Sequence, residues 1–369
     1  MNKKGLSSLA HLALTCRCLR ANSHSQVACT SFKWFFAIFM LLLGTNCQSQ
    51  SWGRFWEPNQ TNTAVSSCEA TVVSDIVAMI CVNANTAGFS MGSNAVGGSS
   101  IPEHMVSSIS AFAMAKYEVQ YGEWQMVKNW AMSNGYIFAN PGVQGDNGLR
   151  TDQHPVTSVN WRDAIIWCNA ASEKQGLVPV YYADSGFATV IRTSYNTASI
   201  IGTAGSGTID FPFVNKAANG FRLPTEAEWE YASRYNDGLT FSRGDAPSGW
   251  SDNNLPNTNV DTLEIDAVAW WTNNSGAITS IVGARIPNSL GLFDMSGNVY
   301  EWVWDWEGNY TLSTPYTDDN TEGPATGTFR LYRGGYFNGT AANLLAAHRN
   351  YNNPWFANTI LGFRPVRRP

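Results

Sequence analysis

Gly220-Phe-Arg-Leu-Pro-Thr-Glu-Ala-Glu-Trp-Glu-Tyr-Ala232 is the stretch from which the rest of this chain can be read. Thr225 precedes Glu228 by three positions. In that arrangement the hydroxyl caps a helix start while the carboxylate reaches back to the amide of the cap residue. Pro224 stands just before it, and Glu226 suits the positive end of a helix. The spacing predicts a helix with Trp229 and Ala232 facing one side.

Two more helices are expected upstream. One starts after Tyr121 and carries Trp124, Val127 and Trp130 at three-residue steps. The other follows Asn160, a good cap residue, with Asp163 in its first turn. Strand-like alternation runs over Met105–Phe112, with Val106 and Ile109 out of register, and again over Ala113–Val119. Residues 184–220 and 236–290 are rich in Gly, Ser, Asn and Thr and read as long loops. Loops of that length in one domain are usually functional or held by ions.

The composition narrows the function classes. Hydrophobic residues make up 44% of 369, enough for a sizeable core, while charged residues are only 14%. The 15 Trp, 14 Tyr, 18 Phe and 32 Gly point to ordered loops packed by aromatics rather than to a helical bundle. A net charge of −5 without a basic run in the body excludes a nucleic-acid partner.

The N-terminal region reads as a leader. Lys33 precedes the apolar run Trp34–Gly44, which is short for a bilayer span of about 20 residues and fits the apolar part of a signal peptide. Residues 1–46 are therefore read as leader, 47–82 as linker and 83–369 as the domain. Cys47 is the candidate lipid-bearing residue, although Asn46 and the position of Leu43 depart from the usual lipoprotein pattern. An unlipidated signal peptide and a buried apolar segment are the other readings. In an exported chain Cys68 and Cys81 could pair as a disulfide. Their spacing matches no zinc module, and Cys168, in an apolar stretch, reads as a buried small hydrophobe.

A series of motifs then follows in order across 88–366. It comprises Phe89-Ser-Met-Gly-Ser93, Lys116-Tyr-Glu-Val119, His154-Pro-Val-Thr-Ser-Val-Asn-Trp-Arg-Asp-Ala164, the 220–232 stretch, Gly291-Leu-Phe-Asp-Met-Ser-Gly-Asn-Val-Tyr-Glu-Trp-Val303, Arg333-Gly-Gly335 and Gly362-Phe-Arg364. With these the chain resembles the formylglycine-generating, sulfatase-modifying family. The resemblance implies an α+β fold, a variant of the C-type lectin fold with little regular secondary structure and long loops. The family includes copper oxidases that make formylglycine, iron-dependent sulfoxide synthases, bacterial binding domains and proteins diversified by retroelements.

The oxidase needs two thiolates, because soft sulfur suits cuprous copper. At the two positions where the family carries them this sequence has Gly339 and Leu344, and no cysteine follows Cys168. No copper is expected. Iron would need a histidine cluster, and the five histidines are isolated. The resemblance also implies a structural calcium loop with Asp294, Gly297, Val299 and Glu301 as oxygen donors. The alternative is that Asp294 and Glu301 cap a turn and pair with arginines.

The tail, 333–364, resembles a retroelement-diversified region in which Gly-Gly, Arg-Asn and Gly-Phe-Arg frames enclose replaceable positions. Those positions here are Tyr336, Asn338, Gly339, Thr340, Asn343, Leu344, His348, Tyr351, Phe356, Asn358 and Thr359. The ligand contacts expected are Tyr336, Asn338, Thr340, Asn343, His348, Tyr351, Trp355, Phe356 and Asn358, residue types that binding surfaces favour. The sequence-based expectation is an exported, non-catalytic binding protein at the cell surface. Its ligand would be a protein or a surface glycan, with a membrane anchor if Cys47 is lipidated. The alternative is a formylglycine-generating-type oxidoreductase or a related nonheme metal enzyme.

Overall fold

Three helices begin where side chains satisfy the amides that a helix start leaves free. In the computed structural model, which describes residues 74–100, 102–250, 262–309 and 323–369, α1 spans Tyr121–Met132, α2 Trp161–Lys174 and α3 Glu226–Arg234. Asn160 Oδ1 accepts from the Asp163 amide at 2.8 Å, and Asp163 Oδ2 accepts in return from the Asn160 amide at 3.1 Å. Thr225 and Glu228 form the same reciprocal pair at 3.1 and 2.9 Å. At α1 the cap residue is Gln120, whose amide donates to Glu123 at 2.8 Å. A fourth helix, α4 at Thr262–Val268, lies in a stretch expected to be loop.

The strands are short. β1 is Met79–Val82, β2 Phe89–Met91, β3 His104–Val106, β4 Phe112–Ala115, β5 Val143–Gln144, β6 Val156–Thr157, β7 Tyr181–Tyr182 and β8 Phe213–Val214. The longest, β9, is Tyr300–Trp306, followed by β10 Arg330–Arg333, β11 Asn350–Asn352, β12 Leu361–Phe363 and β13 Val366–Arg367. One sheet has the order β11-β10-β9-β12, with β12 parallel to β9 and the other pairs antiparallel. A second has the order β1-β4-β13, and three two-stranded ribbons, β2-β3, β5-β6 and β7-β8, complete the pairing.

Three expectations are corrected. The alternation over 105–112 is not one strand: Val106 ends β3 and Phe112 begins β4, and the out-of-register Val106 and Ile109 are both buried. The second strand stops at Ala115 instead of reaching Val119. The domain begins before residue 83, because β1 pairs with β4 from Met79↔Ala115 to Val82↔Phe112, and Ile76 and Val77 are buried in the main core. The chain divides at Thr63, and all the described residues belong to the unit Ala64–Pro369. The apolar run 34–44, Cys47 and Cys68 lie outside the described residues. Cys81 is disulfide-bonded, and Cys168 is a free, buried thiol as read from the sequence.

The main core packs α1 and α2 against β9 and β12 through Trp124, Trp161, Trp167, Trp302 and Phe363. Two buried arginines inside it have partners. Arg162 meets Asp210 through Nε and Nη2, both at 2.7 Å. Arg330 lies between Trp161 and Trp306, 3.8 and 3.6 Å from the ring centroids, and donates to the carbonyls of Trp304 and Asp210.

Candidate functional site

The tail folds as a buried frame with accessible positions between its fixed points. Gly334 and Gly335 both have left-handed φ, 94° and 82°, and a Cβ at Gly335 would stand 2.7 Å from the Asn343 carbonyl. This turn carries the chain out of β10. Arg333, fully buried, donates to the carbonyls of Ala346, Ala347 and His348 at 2.7, 3.1 and 2.9 Å, which fixes the returning segment. On α3 it also pairs with Glu230 and, at 3.3 Å, with Glu226. Arg349 clasps Glu226, also on α3, at 2.7 and 3.0 Å. Helix α3 therefore supplies the carboxylates that hold both arginines of the tail.

Between these points lie the expected contacts. Asn338, Thr340 and Tyr351 are exposed; Tyr336, Asn343, His348, Trp355, Phe356 and Asn358 are half-buried. Two positions read as replaceable belong to the frame instead. Leu344 is fully buried against Ile265, Val268, Ala269 and Trp271. Gly339 is buried, its carbonyl accepts from the Thr272 amide, and a Cβ there would lie 3.1 Å from Tyr336 and 3.2 Å from Asn343. They are also the two positions at which the family resemblance places the oxidases' sulfur; here Leu344 packs and Gly339 bonds within the chain.

The structure brings most of the expected contacts together around a tyrosine group. Tyr336 stacks on Tyr300 at 5.2 Å and 29°, and Tyr300 meets Tyr332 edge-on at 4.8 Å. One face of the Tyr336 ring is thus covered, and the half-buried side chain is held flat. Asn343 and Asn350 face the Tyr300 hydroxyl, and Asn352 faces that of Tyr332. Burial pushes the Tyr332 phenol up to about 12. Asn343 Nδ2 lies 3.3 Å from His348 Nε2, and Thr340 donates its amide to Asn343 at 2.9 Å. Tyr351 packs against Phe329 at 5.2 Å. Burial, with Arg333 nearby, holds the His348 imidazole down at about 4.

Trp355, Phe356 and Asn358 are tied elsewhere. Trp355 lies over the Arg162 guanidinium at 5.5 Å, Asn358 accepts from the Ser158 amide at 3.0 Å, and Phe356 packs on the main core. Sequence reasoning missed Tyr300, Tyr332, Asn350 and Asn352. From sequence Asn350 reads only as part of the Arg-Asn frame and the other three carry no role; the register Tyr332↔Asn350 aligns strand and tail.

The expected calcium loop divides. Glu301 is occupied: Arg364 reaches it through Nη2 at 2.7 Å and Nε at 3.0 and 3.1 Å, and Trp229 Nε1 donates at 2.7 Å. Its side chain follows the arginine alternative. Asp294 accepts from the Gly283 amide through Oδ2 at 2.6 Å, while its Oδ1 is buried without a partner. Burial raises its carboxyl to about 6. Among the described residues no three His, Cys, Asp or Glu side chains converge as a metal cluster, and no helix is long and apolar enough to cross a membrane.

This frame, with its low content of regular structure, defines the class. The sulfatase-modifying factor enzyme 1-like domain family matches residues 68–369, and the chain belongs to that family. Its fold is the α+β, C-type-lectin-like fold of formylglycine-generating enzymes. The particular likenesses differ in kind. Treponema denticola variable protein 1 superposes with a TM-score of 0.58 at 31% identity, covering 79% of this chain and 95% of that one. Chaperone protein LppX of Paenibacillus barcinonensis is 31% identical over 285 residues, 70% of this chain and 81% of the relative. The formylglycine-generating enzyme of Streptomyces coelicolor is 35% identical over 157 residues, which are 39% of this chain and 46% of that enzyme.

Proposed function

We propose that this chain is an exported, non-catalytic ligand-binding protein whose C-terminal face holds a protein or a surface glycan and can change its contacts without changing its fold. The observation that carries the reading is the separation within one tail. Arg333, Arg349 and Arg364 are buried and bonded and Leu344 is buried, while between them Asn338, Thr340 and Tyr351 are exposed and Tyr336, Asn343 and His348 half-buried. Rigid aromatics beside adaptable amides and hydroxyls make a binding surface at low entropic cost. The likeness to a Treponema denticola variable protein over nearly its whole length supports variability at these positions. Export, with Cys47 as lipid anchor, is part of the same proposal and rests on the order of basic, apolar and polar residues in the leader.

The test is to sequence the 3′ end of the gene across isolates. Substitutions should gather at the accessible positions and spare the frame; an even spread, or change concentrated in the frame, refutes variability. The oxidase alternative is checked by incubating the purified chain with a cysteine-containing sulfatase peptide, copper and oxygen. No formylglycine should appear by mass spectrometry, since no thiolate pair stands at positions 339 and 344. Its appearance would make the protein an enzyme.

A further inference from the structure

A cavity of about 160 Å³ opens between the β7-β8 ribbon, the approach to α3 and the end of the chain. None of the expected contacts of the C-terminal face lines it. Its walls are held by bonds already made. Trp304 stacks on Tyr181 at 5.2 Å and 15°, and the Tyr181 hydroxyl accepts from the Leu223 amide at 2.9 Å. The Asn215 amide donates to the Val180 carbonyl at 2.9 Å, and Arg222 exchanges two backbone bonds with Val366, both at 2.8 Å. The inner wall is apolar, with Val180 and Leu223 buried and Val214 and Trp304 half-buried. The rim is basic. Arg222 gives one nitrogen to each oxygen of Glu228, both at 2.6 Å, so those two charges balance. Lys216 and Arg368, both exposed, then leave the described lining with an excess of positive charge.

We propose that this cavity takes a small aromatic carboxylate, with its ring against Val180, Val214, Leu223 and Trp304 and its charge at Lys216 and Arg368. Apolar walls with a few placed polar groups are what small-molecule sites offer. An apolar cavity of about 150 Å³ holds a benzene ring, so this one has room for a single ring and leaves the charged group at the mouth. There a carboxylate can take charge-assisted hydrogen bonds from the ammonium and the guanidinium. The two cations stand on separate segments, one just after β8 and one just after β13, so the ligand would bridge them. Walls fixed in advance keep the entropic cost of binding low.

Benzoate is titrated into the full chain and followed by calorimetry and ligand-observed NMR, with benzyl alcohol as the same ring without the charge. The wild type should bind one benzoate per chain, and benzyl alcohol more weakly by about tenfold. Lys216→Gln combined with Arg368→Gln changes only exposed side chains, and an unchanged Tm checks its folding. It should lose benzoate affinity by about tenfold and bind benzyl alcohol as the wild type does. Tyr336→Ser, on the C-terminal face, should bind benzoate as the wild type does. A wild type that binds no benzoate at millimolar concentration overturns the proposal, and this can be read whether or not any variant folds. So does benzoate binding at full strength without the two cations, or its loss in Tyr336→Ser. Each of these failures leaves the variability of the C-terminal face standing, because that is tested by sequence variation.

Discussion

Single residues set the shape of the C-terminal face and of the loop that Gly297 turns. Gly297 has φ of 88°, and a Cβ there would meet the Trp270 carbonyl at 2.2 Å. Gly297→Ala should cost more than about 2 kcal/mol, from the left-handed backbone and the clash together, as read by denaturant unfolding. His348 gives a pH-dependent signal. Its folded value, about 4, lies below the ordinary value of about 6.5, so the native state favours the neutral ring. Its contribution to stability is complete above 6.5 and is lost as pH falls from there toward 4, because the unfolded chain takes up the proton first. In melts between pH 7 and pH 4, His348→Asn should lose stability less steeply than the wild type. Little of this was legible beforehand. His348 and Gly297 could be named as site residues from their motifs, but the Arg333 charge and the Trp270 carbonyl reach them from elsewhere in the chain.

The elements divide by how local their causes are. Thr225 with Glu228 and Asn160 with Asp163 each lie within four residues of sequence, so both helix starts could be read from sequence and both are present. Thr225→Ala should cost about 1 kcal/mol. Because α3 carries Glu226 and Glu230, the partners of Arg349 and Arg333, loosening its first turn should also raise hydrogen exchange in the tail. Strands were less legible. β4 pairs with β1 on one side and β13 on the other, and β9 pairs with β12 in parallel, so their limits are set by partners far away in sequence. That is why the alternation over 105–112 misled, and why the linker was drawn too long.

At the scale of the molecule, one domain keeps a fixed interior and an open edge. The fold was legible because seven motifs fall in order along the chain. The C-terminal face was legible in part: the tail's exposed and buried positions could be named, but Leu344 and Gly339 were placed on the wrong side of the surface. Their burial depends on Ile265, Trp271 and Thr272, in a region that read as loop. The tyrosine group was missed because Tyr300 and Tyr332 reach the tail only through the pairing of β9, β10 and β11.

The most direct measurement compares thermal and denaturant unfolding of two variants. In one, Tyr336, Asn338, Thr340, His348 and Tyr351 are all replaced by Ser. In the other, only Leu344→Ala is made. The fivefold variant should unfold cooperatively and cost together no more than about 3 kcal/mol, since accessible substitutions are individually small. Leu344→Ala alone should cost about 2–5 kcal/mol. A fivefold variant that fails to fold, or a Leu344→Ala change that leaves stability untouched, would contradict a replaceable surface built on a fixed frame.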